Sequence, residues 1–273
     1  MKKIDFHCHT TNRKIEDTAN ESASLSTLKS FMDKYEIEKS VLLATYFPHK
    51  GSGISNFRLL NWIRERPEFL MFGSLDFENY FWQGMNELNE LAEIKAINGI
   101  KIYTCYQNID LSSDNFKSIV KLAGKYSLPL MFHAGYSYSS RRKYGKASIA
   151  EMVKASDLEK VAKENPGVNF HLSHMAKPFF TDLIEVINRN ANITTDMSGL
   201  LDSKYNEDEI PQSVQVIKEF LEQCGPSKLL FGTDFPVQTH EHSVYMLEEA
   251  MTSFSEEAKQ EVYYNNARRL LRC

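Results

Sequence analysis

Five residues of this chain, His7, His9, His133, His174 and Asp234, are of the types that hold divalent ions and move protons near neutral pH. His7 and His9 flank Cys8 at the end of the run Lys3–His9. On a β-strand alternate side chains share a face. The two imidazoles therefore point one way, into a core, and Cys8 points the other. Two imidazoles one strand repeat apart can grip a single ion. His133 falls near the end of the run Leu128–Gly135, His174 near the end of Val168–Met175, and Asp234 near the end of Lys228–Pro236. A lone buried histidine is more often a hydrogen-bonded core residue, and a lone strand-end aspartate more often a cap. Five such residues at the tips of four strands form a constellation, and they read as a metal site. Imidazole and carboxylate ligands without thiolate suit zinc best, with manganese, iron and nickel as alternatives. Zn2+ brings the pKa of a water it holds to about 7.

The elements that must position these residues are legible as alternating patterns. Eight apolar runs read as strands: Lys3–His9, Ser40–Phe47, Phe69–Phe77, Gly99–Thr104, Leu128–Gly135, Val168–Met175, Asn192–Ser198 and Lys228–Pro236. Helical spacing follows in Leu25, Leu28, Met32 and Tyr35, in Phe116, Ile119, Val120 and Ala123, and in Val244, Leu247 and Met251. Val214, Ile217, Leu221 and Cys224 keep one face before a Gly225-Pro226 stop. Eight strands, each followed by a helix, over about 250 residues describe an α/β fold, a (β/α)8 TIM-type barrel, whose chemistry sits at the carboxyl ends of the strands. A doubly wound sheet is the alternative, but neither GxGxxG nor GxxxxGK[ST] is present. Without a linker or composition shift, residues 1–273 read as a single domain. Parity counted back from His174 places His171 on the helix side of its strand, as a structural residue. His49, His240 and His242 fall in loops of this reading and receive no role.

Composition narrows the function classes. Of 273 residues, 42% are hydrophobic and 25% charged, which suits a soluble globule. Lys plus Arg is 32 against 36 Asp plus Glu, a net charge of −4, so no basic surface for nucleic acid is expected. No apolar run approaches the roughly 18 residues that span a bilayer, and Met1–His7 carries no secretory pattern. Cys8, Cys105, Cys224 and Cys273 form no CxxC pair and read as free thiols, which places the protein in a reducing cytoplasm.

The ordered set of motifs resembles a known family. Ile4-Asp5-Phe6-His7-Cys8-His9, Gly99-Ile100-Lys101-Ile102-Tyr103, Phe132-His133-Ala134-Gly135, Leu172-Ser173-His174 and Leu230-Phe231-Gly232-Thr233-Asp234-Phe235-Pro236 are similar to the amidohydrolase superfamily. The similarity is greatest to the amidohydrolase-related branch that contains aminocarboxymuconate semialdehyde decarboxylase. Ile193–Gly199 resembles its seventh strand and Tyr264–Leu271 its closing helix, so the likeness runs from residue 4 to 271. It implies that His7, His9, His133 and Asp234 are the ligands of a single divalent ion. It also implies that His174 acts on water without being a ligand, so that His174 and Asp234 are the catalytic pair. In the two-metal members, His133 and His174 hold a second ion bridged by a carboxylated lysine of the fourth strand. Lys101 would take that place here. Its position inside the motif, and the mononuclear habit of the branch, favour an uncarboxylated lysine.

The implied activity is metal-dependent hydrolysis of a small carboxylated amide, lactone or ester. Non-oxidative decarboxylation, a lyase reaction, is the alternative on the same site, and a non-catalytic metal or ligand-binding barrel is the third reading. A TatD-like nuclease and a polymerase-and-histidinol-phosphatase barrel fit less well. The former usually has Glu after its fourth strand, and the latter needs more His and Asp positions. Substrate selection is expected from Lys101 and Tyr103, which share parity, and from the loop Tyr136–Gly145. There Arg141, Arg142 and Lys143 could clamp a carboxylate or phosphate. Tyr46, Phe47, Tyr103 and Tyr106 could form an aromatic wall. The expected partner is a small carboxylated molecule, not nucleic acid or a membrane, with self-association left open.

Overall fold

The computed structural model describes residues 1–13, 18–45, 53–135, 152–201 and 207–272. Eight strands appear in chain order: β1 (Lys3–Cys8), β2 (Ile37–Leu43), β3 (Phe69–Gly73), β4 (Gly99–Ile102), β5 (Leu130–Phe132), β6 (Phe170–Leu172), β7 (Ile193–Asp196) and β8 (Leu229–Leu230). Each pairs in parallel with the next. The last returns to the first. The backbone N–H of Phe6 donates to Phe231 O at 2.9 Å, that of Asp234 to His7 O at 2.8 Å, and that of His9 to Phe235 O at 2.7 Å. The sheet thereby closes into the expected (β/α)8 barrel.

Between the strands lie α1 (Leu25–Lys34), α2 (Asn56–Ile63), α3 (Phe81–Glu93), α4 (Asp114–Tyr126), α5 (Ala155–Glu164), α6 (Phe180–Arg189) and α7 (Glu209–Cys224). After β8 come α8 (His240–Ala250), α9 (Glu256–Gln260) and α10 (Asn266–Leu271), the last two joined by a π-helical turn. Helix starts are set by side chains that accept a backbone N–H three residues on: Ser24 for α1, Ser113 for α4 and Thr239 for α8. Gly225, at a φ of +76°, ends α7 as its position before Pro226 predicts. His240 and His242 open α8 rather than lying in a loop, because the Thr239 cap starts the helix before the apolar spacing becomes visible.

Two apolar layers follow from the closed sheet. Ile4, Phe6, Val41, Leu43, Phe72, Met131 and Leu230, drawn from five strands, pack together inside the barrel. Ala267 and Leu270 with Leu271 of α10 pack against them, so the closing helix plugs the amino-terminal end. The larger cluster fills the space between strands and helices and includes Cys8, Leu42 and Ala44. Near its end β1 departs from strict alternation. Asp5 pairs with Ser40 but Cys8 with Leu42, so β1 carries one extra residue there. Phe6 is inside; the irregularity turns His7 inside as well and returns Cys8 to the outer layer.

The expected strands run too long at their carboxyl ends. The ladder stops where the backbone turns left-handed, at Gly135 (φ +72°), His174 (+61°) and Asp234 (+57°). His133, His174 and Asp234 therefore sit past the ends of their strands, whereas His7 lies within β1. Among the described residues, no helix is long and apolar enough to cross a membrane.

Candidate metal centre

His7, His9 and Asp234 meet at the β1–β8 seam, where one atom of each lies within 4.8 Å of the others. The Nε2 atoms of His7 and His9 stand 3.5 Å and 3.3 Å from Asp234 Oδ1. Behind His7, its Nδ1 lies 3.1 Å from Asp196 Oδ2. A carboxylate only accepts, so Nδ1 carries the hydrogen and Nε2 keeps its lone pair toward Asp234. That Nε2 is buried and has no hydrogen-bond partner among the described residues. A buried lone pair, aimed at a carboxylate beside a second imidazole and fixed from behind by another carboxylate, is what an ion ligand needs. The residues present therefore fit a divalent ion.

Burial favours the neutral forms of His7 and His174. Burial, with the charge of Lys101, lowers His7 to about 3 against the pull of Asp196 and Asp234. Burial also lowers His174. Burial pushes Asp234 up, but the hydrogen bond with His9 and the neighbouring imidazoles hold it below the ordinary carboxylate range. Asp234 follows Thr233, whose backbone N–H and hydroxyl donate to Asp5 at 3.0 Å and 2.7 Å. Asp5 also accepts from His7 N at 3.3 Å, so one buried carboxylate ties the HxH segment to the Asp234 turn. His240 Nε2 lies 3.4 Å from the same carboxylate.

His174 sits on the turn Ser173–Ala176, in which His174, Met175 and Ala176 are all left-handed. Each such non-glycine residue costs about 1–2 kcal/mol. A hydrogen bond to a charged acceptor contributes about 1.5–3 kcal/mol, and Asp196 Oδ1 accepts the His174 N–H at 3.0 Å. The ammonium of Lys101 donates to Ser173 Oγ at 2.8 Å and anchors the start of the turn. His174 Nδ1 lies 2.9 Å from Ser198 O, a pure acceptor, so it carries the hydrogen there. In the neutral forms His174 Nε2 then accepts from His133 Nδ1 at 3.2 Å. Gly199 (φ +61°) closes this side: a Cβ there would stand 2.9 Å from both Asp234 Oδ2 and His174 Nδ1.

The five residues read from the sequence therefore converge, with His133 joined to the group through His174. Lys101 is fully buried, and its Nζ lies 5.5 Å from the Tyr103 ring centre. Tyr103 is held by Ala44 O at 2.9 Å, and Tyr106 meets the His133 ring edge-on at 5.2 Å. Arg141, Arg142, Tyr46, Phe47 and the rest of the Tyr136–Gly145 loop lie outside the described residues, as does His49.

His171 does not face the helices. It pairs in register with Met131 and Thr194, meets the Phe6 ring at 4.8 Å, and places Nε2 2.9 Å from Asp196 Oδ2. The parity count fails because β6 ends at Leu172 and alternation does not run on through Ser173 into the left-handed turn that begins at His174. Asp196, Asp5 and Gly199 carry no role in the sequence reading. Asp196 lies near the end of the run Asn192–Ser198 as Asp234 does in Lys228–Pro236, so the same criterion would have found it.

A closed (β/α)8 barrel with imidazole and carboxylate groups converging near the carboxyl ends of its strands has the side chains to hold a divalent ion where barrel enzymes place their active sites. The chain belongs to the amidohydrolase family, whose sequence model matches residues 4–273. The family's members are enzymes, hydrolases or decarboxylases. No curated protein sequence matches the chain. Several solved structures share the fold. One is described as a probable 2-pyrone-4,6-dicarboxylic acid hydrolase from Acinetobacter baumannii with citric acid bound. It is 17% identical, with a TM-score of 0.73, covering 100% of both chains. A 2,6-dihydroxybenzoate decarboxylase from Rhizobium is 17% identical, with a TM-score of 0.68, covering 99% of this chain and 98% of that one. An amidohydrolase from Burkholderia multivorans with bound zinc is 14% identical, with a TM-score of 0.71, covering 100% of this chain and 99% of that one.

Proposed function

We propose that this protein is a metal-dependent hydrolase that opens an amide, lactone or ester bond in a small carboxylated molecule. The ligands are His7, His9, His133 and Asp234, and the ion is one divalent metal, zinc before manganese. The observation that carries the reading is the His7 ring, its Nδ1–H turned to Asp196 and its buried lone pair turned to Asp234. A divalent ion held there would supply Lewis-acid polarisation of the scissile carbonyl and a lower pKa for water.

The chain's own residues do the rest. Asp234, an anion held below the usual range, receives a proton at a carboxylate oxygen. His174, neutral through burial, keeps Nδ1–H on Ser198 O, and its Nε2, which accepts from His133 at rest, is the atom that takes a proton once that contact is given up. Tyr103 and Tyr106 line the His133 side as an aromatic wall. Arg141 and Arg142 bind the substrate carboxylate remote from the bond that breaks, with Lys101 contributing positive charge from the barrel floor. The citric acid bound to the similar Acinetobacter protein supports a carboxylated substrate. The likeness to the Rhizobium decarboxylase supports a second reading, loss of CO2 from an aromatic or unsaturated carboxylate at the same centre.

The test is metal analysis of the purified protein, followed by a panel of lactones, amides, esters and unsaturated carboxylates scored for both hydrolysis and CO2. About one ion per chain and hydrolysis lost on chelation are expected. CO2 as the sole product would assign the decarboxylase reading, and full activity in metal-free protein would end the metal reading.

A further inference from the structure

We infer that Asp196 is the positioning residue of this centre: its carboxylate fixes His7 in the Nδ1–H tautomer and, by the same group, holds the turn that carries His174. Asp196 is fully buried at the end of β7. Its Oδ1 accepts the backbone N–H groups of His174 and Ser198, each at 3.0 Å, and the Ser198 hydroxyl. Its Oδ2 faces His7 Nδ1 at 3.1 Å and His171 Nε2 at 2.9 Å. Five donors surround a group with about four lone-pair sites and no hydrogen of its own. Both ring nitrogens that face it must therefore be N–H. Ser198 Oγ also lies 3.0 Å from His7 Nδ1, but its hydrogen is spent on Oδ1, so it too can only accept there. The remaining nitrogen of His171 lies 3.0 Å from Thr194 Oγ1, a hydroxyl able to donate to it.

The isosteric amide gives a sharp consequence. In Asp196→Asn the two backbone N–H groups demand the oxygen at the Oδ1 place, so the NH2 lands where Oδ2 was. Its two hydrogens meet His7 Nδ1 and His171 Nε2, and both rings must now present lone pairs. His7 then carries its hydrogen on Nε2, where the ligand lone pair had been. Volume and hydrogen bonds are preserved while the donor to the ion is lost. The effect on ion affinity rests on the metal site proposed above; the tautomer does not.

Two-bond 1H–15N correlation spectra of 15N-labelled, metal-free protein report the tautomer directly. His7 is expected as Nδ1–H in the wild type and Nε2–H in Asp196→Asn. Competition of Zn2+ with a chromophoric chelator is expected to show affinity weakened by about 10- to 100-fold. His171→Gln keeps a donor toward Oδ2 and is expected to leave the His7 tautomer in place, with Zn2+ affinity within about threefold. Nε2–H in the wild type, or an unchanged tautomer in Asp196→Asn, overturns the inference. So does an equal loss in His171→Gln, which would mean that disturbance of the layer, not the acceptor, sets the ring. A wild type that binds no Zn2+ would defeat the metal reading alone, with the spectra still deciding the role of Asp196.

Discussion

Asp234 has a hydrogen bond with His9 and faces the lone pair of His7, so one side chain both holds charge against an ion and takes a proton in the proposed reaction. Asp234→Asn should lower kcat by about 10²–10⁴ while changing KM far less, since catalytic bases contribute on that scale. Steady-state kinetics check it, and near-normal turnover would remove Asp234 from the mechanism. His133 and His174 are separable in the same way. His133→Ala should lose the ion, whereas His174→Asn should retain it and lose turnover. Metal analysis of the two variants decides. If both lose metal, and Lys101→Ala loses about one equivalent, the two-ion arrangement bridged by a carboxylated Lys101 replaces the single-ion one. These residues were legible because each closes an apolar run. His171 was not, because its strand ends at Leu172 and the chain enters a left-handed turn at His174 itself, so strand alternation cannot be counted back from His174.

At the scale of elements, the seam between β1 and the turn after β8 matters most. Asp5 accepts from His7 N, Thr233 N and the Thr233 hydroxyl, all buried. Asp5→Ala would strand three donors, each costing about 1–3 kcal/mol when left unsatisfied. A loss of at least about 3 kcal/mol is expected in urea unfolding. A change below about 0.5 kcal/mol, the level of an ordinary surface substitution, would contradict the tie. All eight strands and their order were readable from alternating apolar and amphipathic runs, because burial on both faces forces those runs. Their ends were not. β8 has two residues where nine were expected, since residues after Leu230 keep apolar composition while the backbone leaves the ladder to set Asp234. The extra residue in β1 is equally silent in composition, yet it decides that His7 faces inward.

For the molecule as a whole, stability should follow pH through the buried histidines. The folded-state pKa values of His7 and His174 lie below the 6.5 of an ordinary imidazole, His7 at about 3. Between those limits the unfolded chain binds protons that the folded one refuses, so stability of the metal-free protein falls as pH drops below about 6.5. Asp234 and Asp196, both held below the usual carboxylate range, add a second loss as pH falls through roughly 4 and lower. Urea midpoints at pH 7 and pH 5 test the first window, and equal midpoints would contradict neutral buried rings. Added Zn2+ should raise Tm in proportion to the logarithm of its free concentration, because an ion bound only by the folded state stabilises by mass action.

The joining of β8 to β1 also sets a timetable. His7 leaves the ribosome early and Asp234 more than two hundred residues later, at about 5–20 residues per second. Nothing resembling the complete ligand set exists on the nascent chain until the last strand has emerged and found the first. With the proposed ligands, metal loading is thus a step that follows barrel closure. Truncated translation products that lack β8 would leave the His7–His9 pair without its carboxylate, and so would offer an ion a weaker site than the finished fold.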